Sequence, residues 1–82
     1  MTQTFTSKQR DVIGMAHYGF GTGRFMRNST LYPVALDMAD EGYLVADGGC
    51  DEVATFRMTP KGKRLGGRLF GQVSIRGWHR SR

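Results

Sequence analysis

The sequence predicts a single α+β domain of three helices with one β-hairpin, and three observations carry that reading. Apolar residues recur at spacings of three and four in two stretches, each closed by glycine. Two β-prone segments follow, separated by the turn-forming run D-G-G-C-D-E. At 82 residues the chain has room for one hydrophobic core, because domains usually need roughly 50 to 200 residues. The domain is expected over residues 1–77, with 78–82 as a basic tail.

The first helix should begin at Thr6, where T-S-K-Q forms a capping box: the Thr6 hydroxyl accepts from the Gln9 amide and the Gln9 side chain reaches back. Val12, Ile13, Ala16 and Phe20 then fall on one face, and Gly19, Gly21 and Gly23 end the run. Residues 21–28, GTGRFMRN, are too few and too glycine-rich for a helix plus a turn, so at most residues 24–27 form one helical turn. The second helix opens with caps at Asn28 and Ser29 and with Pro33 in its first turn, and Leu31, Val34, Ala35, Met38 and Ala39 mark its apolar face. Gly42 supplies a left-handed ending, with Tyr43 packing back on Met38. Residues 43–46 and 53–58 form the hairpin, its tip at Gly48 and Gly49. Thr59 and Pro60 start a third helix to about residue 69, with Leu65 and Leu69 inward and Gly62, Gly66 and Gly67 weakening it. Val73 and Ile75 alternate as a short strand would.

Charge is unevenly distributed. Residues 1–40 carry four basic and three acidic side chains, 41–56 none and four, and 57–82 eight and none, within a net charge of +5. A polyanionic partner fits that balance. No stretch approaches the roughly 20 apolar residues of a membrane span, and the start lacks the apolar core of a signal peptide, so the expected location is the cytoplasm with no membrane partner. The single Cys50 excludes an internal disulfide and reads as a residue of the hairpin loop. Asp37, Asp40, Glu41, Asp47, Asp51 and Glu52 follow no metal-binding spacing and read as a solvated acidic face. The glycines from Gly19 to Gly23 follow a helix rather than a strand, which argues against a dinucleotide fingerprint. His17 and His79 stand beside no nucleophile in a known frame, so no enzyme activity and no cofactor are expected.

Residues 29–65, STLYPVALDMADEGYLV followed by TFRMTPKGKRL, resemble the second half of PadR-like and related winged-helix regulators. In that family a recognition helix opening S-x-x-T-L-Y-P ends at a glycine, a hairpin forms the wing, and a Y-x-L-T-x-x-G strand leads into another helix. Ser29 to Pro33, Gly42, Leu44, Thr59 and Gly62 match, with Phe56 in the aromatic slot and Met58 in the leucine slot. The resemblance implies a winged-helix-like fold and DNA binding. One departure stands out: a helix-turn-helix needs a full helix and a turn before the recognition helix, and GTGRFMRN hardly supplies both.

Two basic constellations follow. Arg24, Arg27, Asn28, Thr30 and Tyr32 gather guanidinium and short polar groups at a helix N-terminus, suited to phosphates or base edges, although caps and packing account for the same residues. Arg57, Lys61, Lys63, Arg64 and Arg68 would lie along an edge strand and the third helix and clamp a phosphate backbone, or else form a solvated face. The leading expectation is a small bacterial or phage regulator that binds nucleic acid, DNA before RNA. The alternative is a protein-binding adaptor, or an inhibitor from a mobile element such as an anti-CRISPR, that engages a larger protein or nucleoprotein complex through Phe25, Met26, Phe70 and Trp78. Homodimerisation is left open.

Overall fold

Thr6 and Gln9 close the expected capping box, and helix α1 runs Ser7–Tyr18 from it. The computed structural model describes residues 4–71, so the strand expected at 73–75 and the tail at 78–82 lie outside the described residues. Val12, Ile13 and Ala16 are buried as their spacing requires. Phe20 is not: the helix has already ended, and the ring is 55% exposed.

Residues 22–26 are extended rather than helical. Strand β1, Thr22–Met26, alternates Gly23 and Phe25 inward with Thr22, Arg24 and Met26 outward, a period of two that no helical turn would give. Gly23 permits the close passage of α1, since a Cβ there would stand 3.4 Å from the Ala16 Cα and 3.0 Å from the Phe25 ring. Helix α2, Leu31–Asp40, starts after a turn in which the Ser29 hydroxyl accepts from the Leu31 amide. It ends on the expected left-handed glycine: Gly42 has φ 89°, with hydrogen bonds from the Gly42 amide to Ala39 and from the Tyr43 amide to Met38.

The hairpin comprises β2, Leu44–Gly49, and β3, Val53–Met58. Gly48 and Gly49 have positive φ but sit at the irregular end of β2, and residues 50–52 make the turn itself. Helix α3, Pro60–Phe70, is capped by the Thr59 hydroxyl, which accepts from the Gly62 amide. The sheet is antiparallel in the order β1-β3-β2, which makes β3 the central strand and corrects its placement at an edge.

Phe25, Leu44, Ala54, Phe56 and Met58 point to one face of the sheet, and all three helices cover it. Val12, Ile13, Ala16, Ala35, Met38 and Leu65 complete one core around Phe56, whose ring meets Phe25 edge-on at 5.9 Å. Truncating a buried phenylalanine of this kind removes about 3 to 5 kcal/mol. The opposite face, with Arg24, Met26, Val45, Thr55 and Arg57, has no covering element among the described residues. The architecture is thus two layers, three helices on a three-stranded sheet, in the order α-β-α-β-β-α. Among the described residues no helix is long and apolar enough to cross a membrane.

Candidate nucleic-acid interface

The first basic constellation does not assemble as a reading head. Arg27 lies just beyond β1, where its Nε donates to the Cys50 carbonyl at 2.9 Å and a terminal nitrogen donates to the Tyr32 hydroxyl at 3.0 Å. Its guanidinium also sits 5.6 Å from the Tyr32 ring centroid, and Tyr32 in turn packs on Phe56. Arg27 therefore ties the hairpin turn to the start of α2. Asn28 lines a hollow shared with Asp51 and Glu52, carboxylates that repel phosphate at that spot. Thr30 adopts helical angles and makes no capping hydrogen bond through its side chain. Arg24 separates from this group, standing on the open face of β1.

The second constellation divides as well. Lys61 donates to the Glu41 carbonyl at 2.8 Å, beyond the end of α2, and its ammonium lies 4.6 Å from the Tyr43 ring centroid. Gly62 is required at the same corner, because a Cβ would fall 2.0 Å from the Tyr43 carbonyl oxygen. Arg57, Lys63, Arg64 and Arg68 are exposed and, with Arg24, have side chains that take part in no hydrogen bond, ion pair or ring contact among the described residues. Arg57 pairs with Thr22 and Arg24 with Thr55, so the two arginines are diagonal neighbours on the open face, roughly 7 to 8 Å apart at the backbone.

Lys63 and Arg64 border a groove of about 310 Å³ between the end of α1 and the exposed side of α3, with Phe20, Gly21, Met58 and Gly67. Phe20 follows α1 in a Schellman ending: its amide bonds to the His17 carbonyl and that of Gly21 to Ala16. The position left-handed in this motif is Phe20 itself, at φ 58°, although glycines flank it on both sides. A bulky residue there costs about 1 to 3 kcal/mol. Among the described residues no acidic side chain lines the groove.

The proposed protein-binding anchors fare unevenly. Phe25 is 2% exposed and belongs to the core, because the strand it lies on turns it inward. Phe70 is half-buried against α1, stacked on His17 at 5.9 Å and edge-on to Tyr18 at 5.7 Å, with Gly14 giving its ring room. The same junction holds a contact of 2.6 Å between His17 Nε2 and the Gly71 carbonyl. Met26 is 49% exposed on the open sheet face, and Trp78 lies outside the described residues. Two groove residues escape a reading of the sequence: Phe20, whose spacing points to the core, and Gly67, which looks like a simple weakness of the helix.

Cys50 is exposed, and its thiol is pulled below its ordinary range by the backbone amides of Glu52 and Val53, with a smaller contribution from Arg27. Among the described residues no group of three or more His, Cys, Asp or Glu side chains could hold a metal ion. Family models, curated proteins and solved structures give no match to this chain.

Proposed function

We propose that the chain is a small nucleic-acid-binding protein, winged-helix-like in build, that acts by occupying DNA. The observation that carries this reading is the set of exposed cations Arg24, Arg57, Lys63, Arg64 and Arg68, whose side chains form no ion pair with a carboxylate among the described residues. The winged-helix part rests on α2, hairpin and α3 following one another around the Ser29 to Pro33 signature. β1 stands where a helix-turn-helix would place a helix and a turn, and α2 exposes Asp37 and Asp40. Contact is therefore with phosphates, through the sheet face and α3, rather than by α2 in a major groove.

Fluorescence anisotropy of labelled DNA, duplex and single-stranded, tests the reading. Dissociation constants of about 1 to 100 μM at near-physiological salt are expected, tightening at lower salt. Absence of binding at about 50 mM salt and tens of micromolar protein would sink the proposal.

A second reading, an adaptor or inhibitor that binds protein, is favoured by the uncovered sheet face, where Met26 and Val45 are exposed beside Arg24 and Arg57. A stoichiometric protein partner that survives nuclease treatment, and no longer binds Met26→Asp, supports this reading over the first.

A further inference from the structure

We infer that Arg24 and Arg57, with the hydroxyls of Thr22 and Thr55, form a seat on the open face of the sheet for one backbone phosphate of a nucleic-acid strand. This inference rests on the nucleic-acid reading above and adds where and how a phosphate is held.

The sequence carries the triplet Thr-x-Arg in both strands, as Thr22-Gly23-Arg24 in β1 and Thr55-Phe56-Arg57 in β3. The strands are antiparallel neighbours, and their register sets Thr22 against Arg57 and Arg24 against Thr55. The middle residues, Gly23 and Phe56, pair with each other and both turn into the core. All four outer residues therefore share the opposite face, the arginines on one diagonal of a square and the threonines on the other. A local two-fold axis through the Gly23 and Phe56 pair relates the two halves.

The square is chemically suited to an anion. Like charges on adjacent strands weaken a sheet, yet neither arginine side chain takes part in an ion pair or hydrogen bond among the described residues. The two threonine side chains likewise make no hydrogen bond among the described residues. Asp47 lies on the neighbouring β2, but pairing with β3 is irregular between Ala46 and Gly49, and Asp47 forms no ion pair with either arginine. Half of the diagonal is about 4 Å at the backbone, well within the reach of an arginine side chain. Both guanidinium forks can thus close on one tetrahedral oxyanion at the centre, with the hydroxyls donating to its remaining oxygens.

The same irregularity opens room beside the square. A hollow of about 320 Å³, lined by Arg24, Gly49, Cys50, Val53 and Thr55, adjoins it. Its glycine is fixed by the fold, because Gly49 has φ 122° and a Cβ there would strike the Val53 carbonyl. The space suits the sugar that a backbone phosphate carries, and a free phosphate would leave it unfilled. A second copy of the chain is disfavoured as the occupant, since two such faces would bring four arginines together.

The experiment titrates the full chain by anisotropy against a short labelled single strand and its duplex over a range of salt, with melting followed by circular dichroism. Arg24→Lys combined with Arg57→Lys keeps both charges and removes the forks, and Thr22→Val combined with Thr55→Val removes the hydroxyls from residues that still favour a strand. Each pair should bind the single strand about threefold to tenfold more weakly, with the salt slope unchanged and the melting temperature close to that of the wild type. Arg24→Ala combined with Arg57→Ala should lower the slope by about 0.7, the value of one phosphate. Bound strand should also slow alkylation of Cys50 by iodoacetamide several-fold, because Cys50 lines the hollow.

Wild-type affinity in both conservative pairs overturns the inference and leaves nucleic-acid binding standing, as does an unchanged rate of Cys50 alkylation in the complex. A slope lowered by about 1.4 in the alanine pair means two phosphates held separately, which overturns the shared seat. Polyglutamate bound as tightly as the strand, and weakened by the same variants, assigns the seat to an acidic protein segment and overturns it too. A wild-type protein that binds neither strand nor duplex overturns this inference together with the reading beneath it.

Discussion

The corner where α2, the hairpin and α3 meet and the groove between α1 and α3 both contain cations, aromatic rings and glycines, yet these residues have different relations to the fold. At the corner every unusual residue answers to a neighbour. Lys61 bonds to the Glu41 carbonyl and Gly62 yields to the Tyr43 carbonyl, and at the other end of α2 Arg27 is engaged in the same way by the Cys50 carbonyl and Tyr32. The left-handed helix ending there carries a glycine, Gly42. At the groove the side chains of Lys63 and Arg64 have no partner among the described residues, and a Cβ at Gly67 would meet none of the described residues within 4 Å. A basic residue in the sequence is therefore no guide to a binding surface until its internal partners are known.

The sharpest way to break that contrast is Gly62→Ala. Its Cβ would overlap a backbone carbonyl that cannot swing aside, so a destabilisation of about 3 kcal/mol or more is expected, read as a large fall in melting temperature by far-ultraviolet circular dichroism. A melting point near the wild type would show that the corner is loosely packed. Arg27→Ala comes next. Removing both of its hydrogen bonds at an exposed position should cost about 1 kcal/mol in urea unfolding, with no change in DNA affinity. If affinity falls instead, Arg27 belongs to the interface after all.

Gly67→Ala is smaller and opposite in sign, a gain of up to about 1 kcal/mol, or roughly 4 to 8 °C in a domain of this size. A fall in stability would mean that Gly67 meets a structural demand of its own. The smallest effect concerns Cys50. Because the amides of Glu52 and Val53 favour its thiolate, alkylation by iodoacetamide should reach half its maximal rate below the pH of an unstructured cysteine, with Arg27→Ala moving that midpoint only slightly upward. The folded pKa lies below the unfolded one, so the associated stabilisation is present at high pH and is lost as pH falls through the folded value. A midpoint at the ordinary thiol position would show that the hairpin turn opens in solution.

Much of the fold is legible in the sequence because it is written in local rules. The capping box at Thr6, the left-handed Gly42 and the Thr59–Pro60 start of α3 each need only residues close in sequence. β1 is not legible in the same way. Its five residues include Gly23, and the alternation of Gly23 and Phe25 becomes a signal only once β3 is beside it. Phe20 misleads because its spacing continues that of Val12, Ile13 and Ala16, while the helix stops two residues earlier. Of the candidate site, Lys63 and Arg64 are visible as charge. Their distinction from Arg27 and Lys61 is not, because it depends on carbonyls 20 and 23 residues away in the chain.

The division between open cations and cations engaged by the fold is tested most directly by the salt dependence of single-strand binding for three proteins: the wild type, Lys63→Ala combined with Arg64→Ala, and Arg27→Ala. Every phosphate that the protein ceases to neutralise should lower the slope of log affinity against log salt by about 0.7 to 1. If the groove cations hold the strand and Arg27 only holds the fold, the slope falls by about 0.7 or more in the double variant and is unchanged in Arg27→Ala. An unchanged slope in the double variant, with a reduced one in Arg27→Ala, would contradict that division.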